Sequence, residues 1–157
     1  MGGREVRKDE KWGHIFDHFA IEYFYEGDVR VMSMCRQIDG CASNVSENII
    51  GSKGVSNAHS FIRGENPWRF EGTVPPEYVQ EHTDLIASIR SGNPLNEGRQ
   101  VAESTLTAVM GRMSAYTGKE ITWEMALNSQ ENLIPEKLAW GPAPKWTVAI
   151  PGETKFV

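Results

Sequence analysis

Two histidines and an aspartate near the amino terminus are residue types that could bind a ligand rich in oxygen. His14, Asp17 and His18 lie at the start of a predicted β-strand, where positions 14 and 18 have the same parity and point to one side. Sugar hydroxyl groups need donors and acceptors of this kind. The alternative is a polar strand end at the rim of a sheet. A metal site lacks a clear third ligand.

Two polar residues end the next predicted strand. Arg36 and Gln37 could donate hydrogen bonds to a sugar or a carboxylate, although an ordinary ion pair, for instance between Arg36 and Glu47, is the alternative. His82 lies on the apolar face of a predicted helix, where a hydrogen-bonded core histidine is the default interpretation. The predicted ligand contacts are His14, Asp17, His18, Arg36 and Gln37.

The strands that position these residues are predicted for segments 15–25 and 29–38, and the turn Glu26-Gly27-Asp28 joins them. Both faces of the pair carry apolar side chains, so a sheet built on them needs cover on both sides. Helices can cover one face. A second copy of the chain is a natural cover for the other.

Shorter elements are predicted on both sides of a helical region. They are a hairpin of residues 44–51 and 55–62 around Ser52-Lys53-Gly54, a strand at 68–72, an edge strand at 120–122, and a helix up to about residue 129. Thr122 is the predicted N-cap of that last helix.

Two amphipathic helices are predicted between these elements. The first spans residues 78–91 and ends at Gly92, and the second begins near Asn96 or Glu97 and ends at Gly118. The apolar stripe of the first helix is Tyr78, His82, Leu85, Ile86 and Ile89. The stripe of the second is Ala102, Leu106, Val109, Met113 and Tyr116. Both stripes are expected to pack on a sheet.

Composition limits the possible functions of the chain. Its 157 residues suffice for one domain with a core, and the net charge of −5 excludes a broad basic surface for nucleic acid. No apolar run approaches the roughly 20 residues that span a bilayer. Cys35 and Cys41 flank a predicted turn, where a reduced pair and a hairpin disulfide both remain open.

Strands followed by helices predict an α+β fold, with an open, mainly antiparallel sheet and helices packed on one face. The domain is predicted to span residues 1–134. An extended tail is predicted for residues 135–157, where four prolines exclude regular structure and Trp140 and Trp146 suggest packing on this domain or on a neighbour. The prolines are Pro135, Pro142, Pro144 and Pro151.

The segment EHTDLIASIRSGNPLNEGRQVAESTLTAVMGRMSAYTGKEITWEMAL, residues 81–127, resembles the end of the C-terminal domain in the Gfo/Idh/MocA family. The segment IIGSKGVSN, residues 49–57, is similar to the Gly-Thr-Lys-Gly hairpin of that family, with Ser52 in the place of Thr. The resemblance implies a two-layer sandwich like the C-terminal domain of glyceraldehyde-3-phosphate dehydrogenase. It also implies an NAD(P)-dependent oxidoreductase that acts on a sugar or cyclitol.

The family's nucleotide-binding motif and catalytic residues do not match this chain. The sequence has no G-x-G-x-x-G, and Glu136-Lys137-Leu138 lacks the proline of the family's catalytic Glu-Lys-Pro motif. The family's Asp-x-x-x-His motif normally precedes the region matched here, so His14 and His18 do not correspond to it, and no catalytic or metal-binding residue is predicted.

The resemblance therefore implies a C-terminal portion that is truncated at its N-terminal end and inactive alone. The full-length protein would bind NAD or NADP through a missing Rossmann domain, whereas this chain alone would bind neither. The expected state is a homodimer or larger oligomer through the open face of the sheet. The compartment is expected to be cytoplasmic, without nucleic-acid or membrane partners. The alternative is a non-catalytic dimerisation or interaction module of the same fold.

Overall fold

The computed structural model describes residues 1–141 and 145–157, which form an α+β fold with two open antiparallel sheets. Pro142 and Pro144 of the predicted tail lie outside these residues. The first sheet has the order β1 (Gly2–Gly3), β2 (His18–Tyr25) and β3 (Val29–Arg36). The second sheet is a meander of β4 (Ile49–Gly51), β5 (Gly54–Ser56), β6 (Phe61–Gly64) and β7 (Trp68–Arg69). The helices are α1 (Glu77–Ser91), α2 (Gly98–Thr117) and α3 (Trp123–Leu127).

The chain divides into two units. The first contains residues 1–40 and 97–157, and the second contains residues 41–96. The first sheet, α2 and α3 therefore belong to one unit, and the second sheet and α1 to the other. The α+β prediction is confirmed. The strands form two sheets where the sequence suggested one, and the tail from residue 135 belongs to the first unit.

The long hairpin of the first unit has the predicted turn and faces. Gly27 (φ 73°) and Asp28 (φ 58°) take left-handed conformations between β2 and β3, which a tight turn requires. The odd-numbered residues of β2 face α2. Strand β2 begins at His18 and not at residue 15, because Asp17 turns its side chain into a loop of the amino-terminal segment.

Helix α2 packs on β2 through its last two turns. Phe16, Ile21, Ala115 and Tyr116 form the buried core, with the rings of Phe16 and Tyr116 4.4 Å apart. The Phe16 N–H also donates to the Tyr116 hydroxyl. The tail contributes Val148 and Ala149 to this cluster. The tail therefore packs on its own domain through these two residues, whereas Trp140, from which packing was also predicted, is fully exposed.

The amphipathic stripe predicted for α1 is not buried. Helix α1 has the predicted length and its Gly92 cap is left-handed, yet Ser88 is its one buried residue. His82 is exposed, with 70% of its side chain accessible, so the prediction of a core histidine was wrong. Its Nδ1 atom lies 2.6 Å from the Tyr78 carbonyl oxygen, which is a hydrogen bond along the helix surface.

The short predicted strands differ from the structure in their bounds. Strand β4 begins at Ile49 and not at residue 44, and β7 ends at Arg69 and not at residue 72. The segment predicted as 55–62 is broken at Asn57, whose side-chain oxygen accepts from the N–H groups of Ser60 and Phe61 and closes a turn. Residues 120–122 do not form a strand because no described strand lies beside them. Thr122 does cap α3, where its hydroxyl accepts from the Met125 N–H at 3.2 Å.

Gly111 of α2 provides a test of how β2 packs on the helix. A Cβ atom at this position would overlap the Tyr23 hydroxyl and lie 3.4 Å from Cγ1 of Ile21. We expect Gly111→Ala to lower the free energy of unfolding by about 1–3 kcal/mol, despite the higher helix propensity of alanine. Denaturant unfolding measures the change.

Two further variants control this measurement. In a Tyr23→Phe background the overlap is relieved, so Gly111→Ala should be less destabilising there. Ser104→Ala on the exposed side of α2 should change stability by less than about 0.5 kcal/mol. Equal stability of Gly111→Ala and Ser104→Ala would contradict the close packing.

Candidate functional site

The candidate site is built around the carboxylate of Asp17, which is fully buried although it carries a charge. Its Oδ2 atom accepts from the backbone N–H groups of Glu5, Val6 and Arg7 at 2.8, 2.7 and 2.9 Å. Its Oδ1 atom accepts from the Glu5 N–H at 3.0 Å and lies 2.9 Å from Nδ1 of His18. A short loop of the amino-terminal segment thus closes around one side chain.

The protonation of Asp17 follows from these contacts. Burial alone would raise the pKa of Asp17, but the hydrogen bonds from three backbone N–H groups and from His18 outweigh burial and hold the pKa well below its usual range. The carboxylate is therefore ionised at neutral pH. At every pH at which it is ionised in both states, the carboxylate therefore adds to the free energy of unfolding.

Asp17 also joins the amino-terminal segment to the end of the hairpin through its backbone. Its N–H donates to the Gly3 carbonyl at 2.9 Å, and its carbonyl accepts from the Gln37 N–H at 2.8 Å. Arg7 adds a contact to the same corner, because its Nε–H donates to the Gln37 carbonyl at 3.4 Å. Gln37 is therefore held here by its backbone.

His18 and Arg36 are cross-strand neighbours in the hairpin. They are directly opposed in the register of β2 and β3, so their side chains share the sheet face that turns away from α2. The contact with Asp17 fixes the His18 ring, and 43% of that side chain remains accessible. Because Nδ1 faces Asp17, Nε2 is the ring nitrogen left for a ligand, and it lies close to Gly3 of β1.

His14 is not part of this cluster. Its ring lies 5.7 Å from the ring of Trp146 and 6.4 Å from the ring of Tyr116. The predicted shared orientation of His14 and His18 assumed a strand through both, and the structure has a turn at His14. Of the five predicted contacts, the structure brings together the side chains of Asp17 and His18 and places Arg36 opposite His18.

The sequence analysis missed the Glu5–Arg7 loop as part of the site. Its contribution comes from backbone N–H groups, which every residue except proline carries, so no side-chain pattern could reveal it. The neighbouring glycines gave a weak signal. A Cβ atom at Gly3 would lie 3.0 Å from the His18 ring, so a small residue is needed there.

The described residues do not fit a dinucleotide or a metal ion. Both sheets are antiparallel, whereas a dinucleotide site needs parallel strands joined by a helix whose N-terminus receives the pyrophosphate. Within residues 1–141 and 145–157, no three or more His, Cys, Asp or Glu side chains are placed to hold a metal ion. Cys35 and Cys41 are both free and exposed. None of the described helices has the length and apolar character that crossing a membrane requires.

Comparisons with protein-family models, curated protein sequences and solved structures gave no match to this chain. The family resemblance of residues 49–57 and 81–127 therefore stays a prediction that rests on those residues.

Asp17→Asn tests the role of the buried carboxylate. The substitution removes the charge and turns an amide group toward backbone donors, so we expect the free energy of unfolding at pH 7 to fall by about 2–4 kcal/mol. Because the pKa of Asp17 is lowered by folding, its contribution is present above the unfolded-state pKa of about 4 and is lost as the pH falls further. The free energy of unfolding of the variant should therefore fall less with decreasing pH than that of the parent chain.

Asp39→Asn is the matched control, measured by denaturant unfolding between pH 2 and pH 7. Asp39 is fully exposed and lies 3.8 Å from the Arg7 guanidinium, so its loss should change stability by less than about 0.5 kcal/mol. Equal effects of the two substitutions would show that Asp17 does not hold the loop.

Proposed function

We propose that this chain is the substrate-binding and oligomerisation domain of an NAD(P)H-dependent oxidoreductase that acts on a sugar or cyclitol. The observation that carries the proposal is the placement of His18, oriented by Asp17, directly opposite Arg36 on an accessible sheet face. A sugar hydroxyl both donates and accepts hydrogen bonds, and an imidazole and a guanidinium are side chains of the kinds that bind such groups. The resemblance of residues 49–57 and 81–127 adds the reaction class.

In this proposal the chain binds and orients the substrate, and hydride transfer takes place on a nicotinamide held by another domain. His18 would accept a hydrogen bond from one hydroxyl through Nε2. Arg36 would donate to a neighbouring oxygen. Because Asp17 is ionised and saturated with donors, it would keep the imidazole orientation fixed and take no part in proton transfer.

Titration of the isotope-labelled chain with myo-inositol and with glucose tests this proposal by NMR. We expect shifts at His18 and Arg36 with at least one of them, and about tenfold weaker binding in His18→Ala, because one hydrogen bond to a sugar is lost. His59→Ala, an exposed histidine of the second unit, should bind as the parent does. NADH fluorescence should stay unchanged when the chain is added.

Three results would count against the proposal. They are the absence of shifts at His18 and Arg36 with either compound, equal binding by the two histidine variants, and clear NADH binding by this chain alone.

The second candidate function is a non-catalytic dimerisation module, and the open face of the hairpin favours it. This face carries Phe24, Met32 and Met34, which are 63%, 60% and 72% exposed. Arg30 lies over the Phe24 ring at 4.4 Å and pairs with Glu22 at 3.2 Å, so charged groups border the apolar centre. Apolar surfaces with a polar rim are typical of interfaces between proteins.

Met34→Glu tests whether this face joins two copies of the chain. We expect the parent to sediment as a dimer or larger species, and Met34→Glu to weaken association by about tenfold or more, because a buried carboxylate would lack a partner. Val45→Glu is the control, since Val45 is 94% exposed in a loop of the second unit. A monomeric parent at high protein concentration would contradict both the oligomer and this interface.

A further inference from the structure

Strand β2 changes from a central strand to an edge strand along its length. Residues in an antiparallel ladder direct their backbone groups alternately to one neighbour and then to the other. The Ala20 N–H donates to the Met1 carbonyl at 2.8 Å, and the Ala20 carbonyl accepts from the Met1 amino group at 2.6 Å. Glu22 and Phe24 have the same parity, so their N–H and C=O groups point to the same side. Within the described residues no strand lies beside them.

A cleft of about 620 Å³ runs along this edge. One wall is Ile21–Tyr25 of β2, the floor includes Met110 and Gly111 of α2, and the other wall is the segment 119–123. All of these residues belong to the first unit. The cleft therefore has a backbone edge along one side and an apolar floor.

The opposite wall also has free backbone groups. Neither Glu120 nor Ile121 makes a backbone hydrogen bond to any described residue, and Thr122 has the extended conformation φ −83°, ψ 164°. This is the segment that the sequence predicted to be an edge strand. Extended backbone on both sides of a cleft is the arrangement that one intervening strand would complete, because the unpaired N–H and C=O groups of a strand edge are a template for pairing with another strand.

Strand β1 points into the cleft. Gly2 is opposite Phe19 and Gly3 is opposite His18, so each step toward the amino terminus advances one residue along β2. Met1 is therefore opposite Ala20. A chain that continued upstream would place its first residue opposite Ile21 and its fourth residue opposite Phe24.

We propose that this cleft takes one further β-strand, antiparallel to β2, formed by the chain immediately upstream of Met1. The proposal rests on the part of the proposed function in which an N-terminal portion precedes this chain. It identifies what the portion contributes here: a strand of about five residues along Ile21–Tyr25. The Met1 amino group already occupies the position that a peptide N–H would take toward Ala20.

The floor of the cleft determines which residues this strand needs. Gly2 faces α2, where a Cβ atom would lie 3.1 Å from Cβ of Ala115. The first, third and fifth upstream residues have the same parity as Gly2, and they would lie against Gly111 and Met110. Small apolar residues fit these positions. The second and fourth residues would face away from α2 and donate N–H groups to the carbonyls of Glu22 and Phe24.

Continuity with β1 indicates which chain segment fills the cleft. A strand from a second copy of this chain would have to stop at Met1, because β1 already fills the rest of the same edge. A small ligand would leave the backbone groups of Glu22 and Phe24 without regular partners. Only a continuous chain extends the existing ladder without a break.

Two lengthened chains test this proposal. One carries Val-Thr-Ala-Thr-Ala before Met1, and the other carries Val-Pro-Ala-Pro-Ala, which keeps the residues facing α2 but lacks the two N–H donors. We expect amide exchange at Glu22 and Phe24 to be slower by about tenfold or more in the first chain than in the second. Exchange at Tyr23, which bonds to β3, should be similar in both. Equal exchange rates at Glu22 and Phe24 would overturn the proposal.

Two further observations test which strand occupies the cleft. The gene is expected to contain codons in frame before Met1 with small apolar residues at the first and third upstream positions, and a stop codon directly before Met1 would overturn the proposal. Protection of Glu22 and Phe24 that appears in the 157-residue chain only at high protein concentration would assign the cleft to a second copy and overturn it too. If the upstream codons encode such a strand but no dinucleotide-binding domain, the proposed function is wrong and the strand proposal still holds.

Discussion

The buried carboxylate of Asp17 is the constraint on which the first unit depends. A charge removed from water needs full compensation, and here three backbone N–H groups and one imidazole provide it. The consequence is structural and functional at once. The loop of Glu5–Arg7 is held against the start of β2, β1 is positioned beside His18 and Phe19, and the His18 ring is fixed by its contact with Asp17. Without the carboxylate, the loop, β1 and the His18 ring would no longer be held in these positions.

The packing of α2 on β2 forms the second layer of the same arrangement. Gly111 admits the Tyr23 hydroxyl, which donates to the Thr107 carbonyl at 3.1 Å, while Tyr116 closes the core against Phe16. The two layers meet at Gly2, which lies close to Ala115 of α2. Farther along β2 no strand of the described part of the chain follows β1, and the cleft opens there. The site and the cleft thus lie at two parts of one strand, and the amino-terminal segment connects them.

Local sequence signals predicted the elements whose boundaries are set locally. Gly92 and Gly118 end their helices in left-handed conformations, and Thr122 begins α3 with a side-chain cap. The turn at Gly27 and the two faces of the hairpin were also predictable. These features depend on a few neighbouring residues, so the pattern of residue types is sufficient to find them.

Features that depend on distant partners could not be predicted. The start of β2 is set by a loop about ten residues upstream that contributes only backbone N–H groups. An edge strand at 120–122 would need a neighbour that the described residues do not contain. The apolar stripe of α1 correctly indicated a helix, yet periodicity does not state what covers the stripe. Asp17 and His18 were candidates from their residue types, but the separate position of His14 followed from the tertiary structure.

The most direct measurement is a ¹³C NMR titration of the Asp17 side-chain carboxyl between pH 2 and pH 6. A carboxyl with the reference aspartate pKa would titrate near pH 4, whereas the Asp17 carboxyl should keep the chemical shift of its ionised form well below that pH for as long as the chain stays folded. A midpoint near pH 4 in the folded chain would show that the backbone donors do not hold this carboxylate, and the arrangement of the site around it would be wrong.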